Sequence, residues 1–155
     1  MSFQKTKVDP VLGRKIHEYL KQIGMETPTV STYLDVDAKD KIATIEHHTR
    51  KIWETMGLDL EDDSLEDTPN RIAKMLVLEL NWGLLPENFP KITTIENKMN
   101  VNEMVLERNI SVMSTCEHHG VTIDGMAHVA YIPRNHVLGL SKMNRVVEYF
   151  SRMTG

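Results

Sequence analysis

The chain has 155 residues, 41% of them hydrophobic and 26% charged, with 8 glycines and 6 prolines. That balance excludes a disordered or collagen-like chain and fits one domain, or one domain with a helical appendage. Eighteen basic against 22 acidic residues leave a net charge of −4, which argues against a polybasic nucleic-acid coat or membrane-surface binder.

The single cysteine, Cys116, rules out an intrachain disulfide and a cysteine-rich zinc module. The opening residues MSFQKTKVDP hold no apolar signal stretch, and no run approaches the roughly 18 apolar residues of a membrane span. The expected location is cytoplasmic and reducing, with neither membrane nor nucleic acid as partner.

In chain order, the first half reads helical. Asp9-Pro10 opens a segment with Val11, Ile16, Tyr19, Leu20 and Ile23 on one side, and Gly24 stops it. After a loop holding Thr27-Pro28, Ile42, Ile45, Ile52, Trp53 and Met56 fall at helical spacing up to Gly57. An acidic loop, Asp59 to Asp67, leads to Thr68-Pro69, a cap followed by proline at the first helical position. The helix begun there is expected to turn Ile72, Met75, Leu76 and Leu80 inward and to run to about Trp82-Gly83.

Pro86 and Pro90 mark a linker, and from Met104 the period changes to two. Met104, Leu106, Ile110 and Val112 are expected on one face, interrupted by Arg108, with Glu107, Asn109 and Ser111 on the other. A second β segment spans Val121 to Ile132, and its Asp124-Gly125 pair reads equally as a tight turn or as a bulge. After Gly139 a last helix places Met143, Val146, Val147 and Phe150 at i, i+3, i+4 and i+7. Helices ahead of so few strands predict an α+β chain whose sheet is marginal alone and is completed by other copies or by further sequence.

The densest chemistry is Thr115-Cys116-Glu117-His118-His119. A thiolate and an imidazole three residues later can close on one Zn²⁺, with sulfur at about 2.3 Å and nitrogen at about 2.0 Å. His118 would then point elsewhere and exchange protons near neutral pH. The alternative is a free thiol beside two surface histidines. A catalytic zinc usually has three protein ligands, and the nearby candidates His128, His136, Glu117 and Asp124 lack a convincing spacing.

A second cluster, Gly139-Leu140-Ser141-Lys142-Met143-Asn144-Arg145, is a turn entering a helix. Ser141 as N-cap, with Lys142 and Arg145 three apart, suits a polyphosphate. The same pattern also suits an ordinary capped helix with solvated cations. Arg71 is a third feature, a cation in a first helical turn where the dipole favours an anion. His47-His48 and the run Glu61-Asp62-Asp63 read as structural or solvated.

Four segments together resemble the GTP cyclohydrolase I family: LEDDSLEDTPNRIAKM (60–75), NFPKITTIENKMNVNEMV (88–105), STCEHHGVTIDG (114–125) and VAYIPRNHVLGLSKMNRVVEYFSR (129–152). The resemblance implies zinc-dependent hydrolysis and rearrangement of GTP to 7,8-dihydroneopterin triphosphate and formate, in pterin or folate-type biosynthesis. Cys116 and His119 match zinc ligands, and His118 matches the acid/base histidine. Ser141, Lys142 and Arg145 match triphosphate contacts, and Arg71 matches an arginine reaching a neighbouring subunit's triphosphate.

The implied architecture is an N-terminal helical region with linker over 1–98, then the first half of a T-fold catalytic domain over 99–155: an antiparallel β hairpin plus helix. Family members form homo-oligomeric rings, typically a toroidal decamer. They also continue past the position of Gly155 with two more T-fold strands, a third zinc ligand, a further catalytic histidine and the glutamate that anchors guanine. Gly120 stands where the family commonly has a larger residue. The resemblance therefore admits two functions: a GTP cyclohydrolase I polypeptide, completed by a partner chain or by further sequence, or an incomplete homologue that acts as a GTP-binding, regulatory or assembly subunit.

Overall fold

The computed structural model describes residues 7–154. The residues before Lys7, part of the stretch read for a signal, lie outside them, as does Gly155. The chain divides into two compact units, Pro28–Trp82 on the one hand and the residues up to Thr27 together with those from Gly83 onward on the other. Among the described residues no helix is long and apolar enough to cross a membrane.

In the second of these units, α1 spans Pro10–Gln22. The Asp9 carboxylate accepts the Leu12 N–H at 3.0 Å, and Pro10 fills a position whose N–H would have no partner. Of the residues read on one side, Ile16 and Leu20 are half-buried, but Val11, Tyr19 and Ile23 are 58%, 60% and 46% exposed. The inward face is Gly13, Ile16, His17 and Leu20. Gly13 sets it, because a Cβ there would stand 2.0 Å from the Pro86 carbonyl oxygen and 2.7 Å from Phe89 Cβ. The helix seats its glycine against that loop, and hydrophobicity alone does not mark a glycine as a contact residue.

The unit Pro28–Trp82 holds α2 (Ser31–Leu34), α3 (Ala38–Thr55) and α4 (Thr68–Lys74). The Asp37 carboxylate caps α3 by accepting the Lys39 N–H at 2.8 Å. Ile42, Ile45 and Trp53 are half-buried as their spacing predicts and Thr49 is buried, but Ile52 and Met56 are exposed. The α3 face toward α4 runs through Glu46, whose carboxylate accepts from Asn70 Nδ2 at 2.6 Å. After Lys74 the helix widens to a π-helical turn, Met75–Leu80. Ile72, Leu76 and Leu80 are half-buried as their spacing predicts, while Met75 lies at the exposed edge of that stripe.

Two antiparallel two-stranded sheets complete the α+β architecture. Short strands β1 (Thr94–Glu96) and β4 (His136–Leu138) pair with Thr94 opposite Leu138; three residues each carry too little periodicity to be read from sequence. The larger pair is β2 (Val105–Thr115) with β3 (Thr122–Tyr131). Asp124 and Gly125 are neither turn nor bulge; they lie mid-strand opposite Met113 and Val112. The irregularity falls on β2, between Glu107 and Ile110. It reverses the expected alternation, because Val105 and Glu107 now share a face with Ile110 and Val112, while Met104 and Leu106 are exposed.

Helix α5 (Leu140–Ser151) packs on that face through Met143, which is buried, and Val146, Val147 and Phe150, which are half-buried. Tyr149, absent from the expected stripe, is fully buried with its ring edge-on to Phe89 at 5.0 Å between centroids.

Candidate functional site

Thr115, buried at the end of β2, pairs with Thr122, and the chain then reverses through Cys116–Gly120. The Cys116 N–H donates to the Val121 carbonyl at 2.8 Å, and the Gly120 N–H returns to the Cys116 carbonyl at 2.9 Å. Gly120 has φ +67 with nothing near a hypothetical Cβ, so backbone handedness rather than space favours glycine there.

This turn aims donors at the sulfur. The backbone N–H groups of His119 and then His118, joined by the two imidazoles, push the Cys116 thiol down to about 7. The ring nitrogen recorded against the sulfur is Nδ1 of His118, at 3.9 Å. His118 thus turns toward the thiol rather than away from it, and its Nε2 lies 3.8 Å from Glu117 Oε1. The rings of His118 and His119 have centroids 6.4 Å apart.

A thiol near neutrality beside two imidazoles is the right chemistry for zinc. The donors fit in kind and fall short in number: among the described residues no group of three His, Cys, Asp or Glu side chains comes close enough to hold an ion. Of the third-ligand candidates from sequence, Glu117 lies in the turn with its carboxylate toward His118, and the other three stay elsewhere. Asp124 pairs across the hairpin with Met113, His128 lies opposite the β2 irregularity, and His136 belongs to β4.

The cations of α5 form a separate cluster. Gly139, not Ser141, is the N-cap, and it offers no side-chain bond; Ser141 lies within the first turn. Lys142 is half-buried, its side chain lining an apolar cavity of about 150 Å³ with Val129, Tyr131, Leu138 and Met143. Neither Lys142 nor Arg145 has an ion-pair partner among the described residues. Arg71 belongs to the other compact unit, where Asp67 Oδ2 at 3.5 Å supplies the anion its position calls for.

Within one chain the two clusters stand at opposite ends of the hairpin. Lys142 lies by Val129 and Tyr131, whereas the Cys116 turn follows Thr115, opposite Thr122. Val129 and Thr122 are seven positions apart along β3, about 23 Å at the usual rise. The Ser114 hydroxyl, donating to the Met153 carbonyl at 3.3 Å, ties the turn's end of β2 to the far end of α5.

The family profile described as GTP cyclohydrolase I matches residues 45–155. GTP cyclohydrolase 1 of Aeromonas hydrophila is 59% identical over 133 residues, which is 86% of this chain and 60% of that protein. That of Vibrio campbellii is 57% identical over 140 residues, 90% of this chain and 64% of its own, and that of Yersinia enterocolitica 54% over 137, 88% and 61%. The chain belongs to the GTP cyclohydrolase I family. It spans about 60% of the length of the first of these relatives.

Proposed function

We propose that the chain supplies part of a GTP cyclohydrolase I active site, which opens the imidazole ring of GTP, releases formate and rearranges the ribose to give 7,8-dihydroneopterin triphosphate. The observation that carries this reading is the Cys116 turn, where Nδ1 of His118 stands 3.9 Å from a thiol that its histidine neighbours push down to about 7. The name shared by the relatives supports the same activity. Residues 1–98 serve as the helical region and 99–155 as the first half of a T-fold, and the reaction belongs in the cytoplasm.

Cys116 and His119 would hold zinc together with a ligand beyond the described residues. Zinc, when bound, makes water nucleophilic toward C8 of guanine. His118, with one ring nitrogen toward the thiol and the other toward Glu117, carries protons during ring opening. Ser141, Lys142 and Arg145 bind the triphosphate at the open start of α5, and Arg71 reaches the triphosphate of a neighbouring copy. Because the turn and the α5 cations lie far apart on one chain, the site is shared between copies in a homo-oligomeric ring, up to a decamer, or with a completing partner chain.

A second reading has its own support: among the described residues the donor set has no third ligand. In it the chain binds GTP or family subunits without turnover, as a regulatory or assembly subunit. Zinc-loaded chain, alone and mixed with a longer family subunit, separates the two when assayed with GTP for formate and a fluorescent pterin. Turnover that disappears with Cys116→Ala supports the enzyme. GTP binding or coassembly with no turnover from this chain's Cys116 turn selects the second reading.

A further inference from the structure

Between Glu107, opposite Val129, and Ile110, opposite Ala127, β2 has two residues where β3 has only His128. Such a bulge removes a residue from the ladder. Asn109 occupies it with φ +61, a left-handed conformation that asparagine holds more readily than other non-glycine residues. Its N–H is nevertheless satisfied, donating to Nδ1 of His128 at 3.3 Å. That bond needs Nδ1 unprotonated, so the ring proton sits on Nε2.

The bulge also decides which charge meets α5. In the observed register Glu107 is half-buried on the α5 side, its Oε2 buried without a hydrogen-bond partner, while Leu106 is 45% exposed. A slip of one residue would exchange the faces: Leu106 would turn inward, Glu107 outward, and Arg108 would come opposite Val129. Each register places one charged residue and one aliphatic residue of this segment inward. Burial of apolar surface therefore chooses weakly between them, and the Asn109–His128 bond breaks the balance.

We propose that His128 is a pH-sensitive latch on the register of β2. With Nδ1 free it holds the bulge; with both ring nitrogens protonated the imidazole has two donors and no acceptor, and the pairing of the 105–107 segment with Val129–Tyr131 opens more often by the worth of that one bond. The charged groups beside the ring across the hairpin are Arg108, within the bulge, and Glu107, which faces the opposite side; Asp124 lies further along β3. Helix α5 packs on the Val129 face, away from His128.

Amide hydrogen exchange on the whole chain tests the latch. Protection of Leu106, Glu107 and Asn109, corrected for intrinsic rates and divided by that of Val112 and Met113 in the same hairpin, should fall about fivefold between about pH 7.5 and about pH 5, the worth of one net hydrogen bond. In His128→Asn, whose side-chain oxygen keeps an acceptor that does not titrate, the ratio should stay constant. A flat ratio in the unmodified chain, or an equal fall in both proteins, overturns the proposal. Should the variant fail to fold, the unmodified chain still decides through the ratio and through ring ¹⁵N shifts: a hydrogen on Nδ1 at about pH 7.5 refutes the latch.

Discussion

His17 Nε2 lies 2.8 Å from the hydroxyl of Tyr149, joining α1 to α5 across 132 positions of chain. The same hydroxyl reaches the Leu85 carbonyl at 3.2 Å. Burial lowers the pKa of His17, against the opposing pull of Glu87 and Glu26, and raises that of Tyr149 above its ordinary value.

Both shifts favour the neutral pair, and they bound stability on two sides. For His17 the unfolded chain binds more protons than the folded one between the lowered folded pKa and the unfolded value of about 6.5, so stability rises with pH there. Its contribution is complete above about pH 6.5 and is lost as pH falls through the folded pKa. Tyr149, shifted upward, contributes fully below about pH 10 and loses its contribution as pH rises toward its folded pKa. Thermal midpoints measured against pH should drop on the acid side less steeply in His17→Gln than in the unmodified chain. Parallel acid limbs would show that His17 does not set that edge.

Gly13 should tolerate no side chain. Its absent Cβ faces the Pro86 carbonyl oxygen at 2.0 Å, a backbone atom that cannot swing aside. Gly13→Ala is expected to destabilise by about 1–3 kcal/mol, the usual range for overpacking. Gly125→Ala is the control, since nothing lies within 4 Å of its would-be Cβ. Denaturant midpoints for both variants check this; equal shifts would mean that the α1 contact with 86–89 is loose in solution.

These contacts explain what could be read from sequence. The α5 stripe was legible because Met143, Val146, Val147 and Phe150 are apolar and regularly spaced. The α1 face was not, because its closest contacts are made by a glycine and a histidine, which no hydrophobic pattern selects. Alternation along β2 fails at Arg108-Asn109, where a bulge inverts the parity of everything before it. The Cys116 turn was visible as a motif, but the direction of His118 depends on backbone curvature around Gly120 that spacing does not encode.

Lys142 should discriminate phosphate from nucleoside. It is half-buried beside an apolar cavity at the first turn of α5, with no ion-pair partner among the described residues. Lys142→Ala should weaken binding of the triphosphate by roughly tenfold, the scale of one charge-assisted bond, while guanosine binding changes little. Calorimetric titration with GTP and with guanosine distinguishes the cases, and equal losses would remove Lys142 from the phosphate site.

Cys116 offers a readout of the turn that does not depend on turnover. With its thiol pushed down to about 7, half the metal-free protein carries a thiolate at that pH. Alkylation by iodoacetamide should therefore rise along a titration centred near 7, earlier than the ordinary thiol range of about 8.5. Zinc should slow the reaction by occupying the sulfur, and His119→Ala should weaken that protection while leaving alkylation of the metal-free protein largely intact. The two halves of the experiment speak to different parts of the site. A midpoint at the ordinary thiol value would mean that the N–H groups of His118 and His119 do not converge on the sulfur in solution. A lowered midpoint with no zinc protection would leave the cradle standing and remove the metal from it.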